Sequence, residues 1–135
     1  MKKYIMLSFL VASGLITAVN AATASHYTVW QDGKIIHPKT AITKEQLTVI
    51  LNSIRSKATD AEKLVVFKDS LKNKGIMVEQ VITLMHQMNE DAKYEAAIYA
   101  FQYTTDFKKY DRIQDLFGVE AHKQMLQDYV DRHRK

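Results

Sequence analysis

Five histidines, at positions 26, 37, 86, 122 and 133, and a scatter of acids are the side chains that could do chemistry in this chain. Glu79, His86 and Glu90 are the first set to consider. His86 and Glu90 are four apart and Glu79 lies seven before His86, so one side of a helix carries all three. Zinc asks for three or four converging ligands, and the His-Glu-x-x-His spacing is absent. A solvated polar face is the plainer reading. His26 and His37 could approach each other across a hairpin, which still supplies only two ligands. Asp106, Asp111 and Asp115 offer paired carboxylates. Acid–base work on a glycosidic bond needs such carboxyls about 5–9 Å apart across a cleft, and one exposed helix face is no cleft. Ser25, Ser53, Ser56 and Ser70 sit in no Gly-x-Ser-x-Gly turn, and no glycine-rich phosphate loop is present. There is no cysteine, hence no thiol nucleophile and no disulfide. The reading is non-catalytic, with no metal and no cofactor.

Aromatic residues give a stronger signal. Tyr94, Tyr99, Phe101, Tyr103, Phe107 and Tyr110 fall within a short span. If Tyr94 and Phe101 point inward, Tyr99 and Tyr103, four apart, share another side. Such a set commonly completes a core or its rim. Exposed tyrosines also suit peptide or sugar contact, because each offers large rigid area with one polar tip. Tyr99, Tyr103 and Trp30 are therefore the candidate binding residues, with a protein or peptide as partner.

These side chains must be held by something, and the strongest periodicity runs from Leu64 to Phe101. Thr43, with Gln46 three residues on and Ile42 and Leu47 around it, opens a helix with the stripe Leu47, Ile50, Leu51 and Ile54. Thr59-Asp60-Ala61-Glu62 is a capping box before Leu64, Phe67 and Leu71. Gly75 then falls where a left-handed residue would close that helix. Val81, Leu84, Met85 and Met88 form a third stripe. Asn89 to Asp91 start a fourth, with Tyr94, Ala97, Ile98 and Phe101. Thr105 or Asp106 caps a fifth with Phe107, Tyr110, Ile113 and Phe117. After Gly118, a last stripe of Met125, Leu126, Tyr129 and Val130 runs into the basic tail Arg132, Arg134 and Lys135, which suits a helix C-terminus. The fold class expected is all-α: five to six short helices, stacked as helical hairpins, over residues 42–131. Lys44-Glu45-Gln46-Leu47 is echoed by Val78-Glu79-Gln80-Val81, and Asp60-Ala61-Glu62-Lys63 by Asp91-Ala92-Lys93-Tyr94. The offsets differ, so no strict array is implied.

Ahead of the helices the chain changes character. Tyr27-Thr28-Val29-Trp30 and Lys34-Ile35-Ile36-His37 flank Gln31-Asp32-Gly33, and an Asp-Gly pair accepts the φ angles of a tight turn. A short β-hairpin arm is expected within residues 22–41, ended by Pro38. Met1-Lys2-Lys3, the interrupted apolar run Tyr4 to Val19, and small residues before Ala21 read as a signal peptide over residues 1–21, with a cut after Ala24 as the variant. The run is too short for a membrane span. The chain is then periplasmic or secreted, with 114 residues left of 135 and no transmembrane segment in the mature form. Loss of Lys2 and Lys3 lowers the net charge from +4 to +2. That is no footprint for nucleic acid. Lys63, Lys68, Lys72 and Lys74 are interleaved with Asp60, Glu62 and Asp69, which makes a solvated helix face.

In this order of signals the chain resembles an exported helical family, domain of unknown function family 4476. The carrying residues are Asp60-Ala61-Glu62-Lys63-Leu64, Val78-Glu79-Gln80-Val81 with Leu84, Asp91-Ala92-Lys93, Asp106 with Tyr110, and Phe117 to Val130 with Leu126. The resemblance covers about Thr43 to Val130. It departs at Met77, where the family usually has a capping Ser or Thr, and at Tyr94, where an aliphatic residue is common. It implies an all-helical fold and an exported context, and brings no catalytic residue. The functional expectation is an exported binding or scaffolding module of the cell envelope or secreted fraction. The alternative is a small envelope hydrolase or metal-dependent enzyme built on the His, Glu and Asp inventory.

Overall fold

The computed structural model describes residues 35–134. These form five α-helices and one 3-10 helix. The helices are α1 (Lys44–Arg55), α2 (Asp60–Leu71), α3 (Val78–Met85), α4 (Glu90–Phe101) and α5 (Glu120–His133), with the 3-10 helix (Phe107–Leu116) between α4 and α5. The all-helical expectation holds for these residues. The turn and first strand of the expected hairpin, Trp30 included, lie outside them, and Ile35 to His37 run on as coil without a strand pairing.

Two capping boxes form as their residue types dictate. Thr43 Oγ1 accepts from Gln46 N at 3.2 Å while Thr43 N donates to Gln46 Oε1 at 2.9 Å. Thr59 and Glu62 repeat the pattern at 3.2 and 3.1 Å. The backbone N–H and hydroxyl of Thr59 hold the Glu62 carboxyl below its ordinary value. Asn89 Oδ1 caps α4 by accepting from Ala92 N at 3.0 Å.

The stripes then bury. Ile50, Ile54, Phe67, Leu71, Val81, Leu84, Met85, Met88, Phe101, Tyr110, Ile113, Phe117, Leu126 and Val130 lie in one core. Leu47, Leu51 and Leu64 pack half-buried at its edge. Helix α4 departs from the single stripe expected of it. Ala92, Ala96, Ala97, Ala100 and Phe101 are buried while Tyr94 and Ile98 are only partly covered. The reason is its position. It packs against α2, α3, α5 and the 3-10 helix, so it is covered on several sides and small residues let its neighbours approach. In α5, Met125 is 49 % exposed and faces outward, unlike its expected place in the stripe.

The fifth expected helix is a 3-10 helix. Phe107, Tyr110, Ile113 and Leu116 recur every third residue, which matches three residues per turn and keeps one face inward. Asp106, one of the two residues expected to cap it, makes no side-chain cap bond to it.

Three connections lie side by side between the helices. Ala41 bridges Gly75, and Ile76 bridges Thr104, both in parallel sense. Ile42 N donates to Gly75 O at 2.8 Å, Ile76 N to Tyr103 O at 2.9 Å, and Thr105 N to Ile76 O at 2.9 Å. Here the expectation for Gly75 is corrected. The left-handed residue after α2 is Asn73, with φ 61°, a conformation Asn tolerates better than most. Gly75 is needed for space, because a Cβ there would stand 2.0 Å from the Thr40 carbonyl oxygen.

Candidate functional site

The acids and histidines do not gather. Glu79 of α3 forms an ion pair with Arg112 of the 3-10 helix. His86 is the exposed C-cap residue of α3. Glu90 turns elsewhere, so the three residues have three different surroundings. Asp111 pairs with Arg134 at 2.7 Å, Asp115 is exposed, and Asp106 accepts from the backbone N–H of Val78 at 2.8 Å. Among the described residues no group of three or more His, Asp or Glu is arranged to hold a metal ion.

Glu90 belongs to a corner that sequence spacing did not reveal. Its carboxylate accepts from Gly118 N at 3.2 Å and Val119 N at 3.1 Å, and stands 3.2 Å from His122 Nδ1. His122 stacks on Tyr94, with centroids 5.0 Å apart and planes 16° apart, and meets Phe117 edge-on at 6.0 Å. Asp91 lies 3.9 Å from His122 Nε2. Partial burial pushes the Glu90 carboxyl up, but the Val119, Gly118 and His122 contacts outweigh this and hold it below its ordinary value. A carboxylate beside an imidazole is the arrangement of an acid–base pair. Here the carboxylate oxygens already serve backbone N–H groups at the start of α5, whose own N-cap residue Val119 supplies no side-chain cap. The corner fastens α4 to α5.

Tyr99 and Tyr103 do come together. Their rings are 5.2 Å apart and tilted by 47°, and their hydroxyls are 3.5 Å apart. Tyr99 donates to the Lys68 carbonyl at 3.1 Å. Lys68 Nζ sits 5.7 Å from the Tyr99 ring centre and pairs with Glu95 at 3.1 Å. Burial, then the Tyr103 hydroxyl, push the Tyr99 phenol well above its ordinary range, so it stays neutral. Both rings are half-buried against the core. The result is a fixed aromatic ledge at the end of α4 and the turn after it, flanked by one charge of each sign from α2 and α4. Trp30, the third candidate, lies outside the described residues.

The other aromatics are structural. Phe101 is fully buried and meets His37, Phe107, Tyr110 and Tyr129 edge-on. Tyr110 is fully buried, donates to the Ala97 carbonyl at 2.5 Å, and burial raises its phenol well above the ordinary value.

Fold and surface together define an all-helical module in which Glu62, Glu90 and Asp106 close helix starts and aromatic side chains build the core and one ledge. No described helix is long and apolar enough to cross a membrane. The family model described as Domain of unknown function (DUF4476) matches residues 41–130, about two thirds of the chain, and the chain belongs to that family. No curated protein and no solved structure matches it.

Proposed function

We propose that the chain is an exported, non-catalytic binding or scaffolding module that takes a protein or peptide partner on the Tyr99–Tyr103 ledge. The observation that carries this reading is the ledge itself. Two tyrosines are locked against each other and against the Lys68 carbonyl. Aromatic area that is already immobile loses little side-chain entropy on contact. Lys68 and Glu95 at its margin supply a polar rim.

The test is crosslinking in intact cells followed by identification of attached chains, with wild type, Tyr103→Ala and Lys68→Ala compared. Tyr103→Ala removes one ring and leaves the Tyr99–Lys68 bond in place. Loss of a specific attached chain in the variants supports the reading. Identical attached chains in all three remove the ledge from consideration. Export is checked separately. N-terminal sequencing of the accumulated protein should begin after Ala21 or Ala24, and an intact Met1 would overturn it.

A further inference from the structure

His37 is the one described histidine whose two ring nitrogens are both shut away from solvent without making a hydrogen bond. Its ring stacks on Phe107, with centroids 3.8 Å and planes 9° apart, and stands edge-on to Phe101 at 5.0 Å. With Ile35, which packs half-buried against the core, it holds the coil before α1 on the helices. Ile42, five residues on, is buried and ties its N–H to Gly75. Between them Lys39 and Thr40 are exposed. Ile36, beside His37, is 86 % exposed, so it adds little grip of its own.

We infer that His37 is a pH-sensitive latch. Neutral, it holds the 35–42 segment on the Phe101–Phe107 wall. Protonated, it leaves that wall and uncovers Phe107. An imidazolium buried between these two rings loses hydration that the nearby Thr104 and Phe101 backbone groups restore only in part. The elements packed on the ring are the end of α4, the loop after it and the 3-10 helix. The titratable groups they carry around the contact are Tyr103, Asp106, Lys108 and Tyr110. Asp106 is turned to Val78 and Tyr110 to Ala97. Helix α5 meets Phe101 through Tyr129. No carboxylate is therefore set against the ring to hold a proton on it. Burial, the largest influence, lowers the His37 value, and backbone contacts from Thr104 and Phe101 offset this only in part. The sign follows. The docked form binds the proton less well than the free form, so docking is strongest above the ordinary value of 6.5 and weakens as pH falls through it.

The experiment is NMR on the whole chain purified from cells, between about pH 7.5 and about pH 5. Imidazole shifts give the His37 titration, and amide exchange corrected for the intrinsic rate gives protection at Ile42. His37 should titrate below 6.5. Ile42 protection should fall on acidification, by about tenfold for each unit by which the docked His37 value lies below the free one. Interior amides of α4 should hold. In His37→Phe, which keeps the stack and removes the titration, Ile42 protection should be flat with pH. His37 titrating at or above 6.5, or Ile42 protection that does not change in wild type, overturns the latch. So does an equal fall in His37→Phe. The wild-type measurements decide the matter even if the variant folds poorly.

Discussion

The carboxylate of Asp106 closes the N-terminus of a helix that begins 28 residues before it, accepting from Val78 N at 2.8 Å. The residue preceding that helix is Met77, whose side chain has no oxygen to offer. Gln80 completes the arrangement, accepting from Met77 N at 3.0 Å and donating to Ile42 O at 2.9 Å from a buried position. The missing local cap is thus replaced by two side chains that also tie α3 to the loops around it.

Removing that acceptor should behave as loss of an N-cap. Asp106→Ala is expected to lower stability by about 1–2 kcal/mol and Asp106→Asn by less, because the amide oxygen still accepts. Met77→Ser restores a cap within the local sequence. In that background Asp106→Ala should cost less than in wild type, and denaturant titration of the four proteins measures the coupling. Additive effects would mean that Asp106 stabilises the fold by another route.

The two described glycines should part company on substitution by alanine. At Gly75 the new methyl would collide with the Thr40 carbonyl, which is backbone and cannot swing away. Gly75→Ala is expected to cost more than about 3 kcal/mol, in the range of strongly strained or overpacked sites. At Gly118 nothing lies within 4 Å of the added atom and φ is not positive. Gly118→Ala should be neutral, or more stable by up to about 1 kcal/mol through a less mobile unfolded chain. Thermal melts of both variants settle the contrast.

Glu90 gives a prediction with a direction in pH. Its carboxyl is held below the ordinary 4.5, so its contribution is present above that value and is lost as pH falls through the depressed one. Glu90→Gln should flatten the acid limb of the stability–pH curve, measured by urea titration at a series of pH values. An unchanged acid limb in Glu90→Gln would show that the backbone bonds at Gly118 and Val119 matter little.

Tyr110 is expected to tolerate loss of its hydroxyl better than loss of its ring. Tyr110→Phe removes the bond to the Ala97 carbonyl and should cost about 1 kcal/mol. Tyr110→Ala opens a cavity beneath Phe101 and should cost about 3–5 kcal/mol. Calorimetry on the two variants separates the polar from the packing contribution.

Much of this fold is legible in the order of residues. Thr43–Gln46 and Thr59–Glu62 cap as read, because both partners sit within one turn and nothing distant is needed. The stripe from Val81 to Met88 buries as read, because α3 has one inward face. Reading fails where contacts are long-range. Ala97 of α4 buries as read, but Ala92, Ala96 and Ala100 carry no oily signal and are buried because four elements surround that helix. Asp106, read as one of two caps with Thr105 for the helix that follows it, serves α3 instead. Glu90 looked like the neighbour of His86 and is the partner of His122, 32 positions on.

By itself the sequence determined that residues from Thr43 onward are helical, where most helices start, and that Tyr99 and Tyr103 share a side. Each of these follows from the 3.6-residue repeat and from hydrogen bonds spanning three or four positions. Only the tertiary structure decided which helix lies at the centre, which acid closes which helix, why Gly75 has no side chain, and that His37 is wedged between Phe101 and Phe107. Those outcomes depend on the distance between atoms far apart along the chain, a quantity no local pattern encodes.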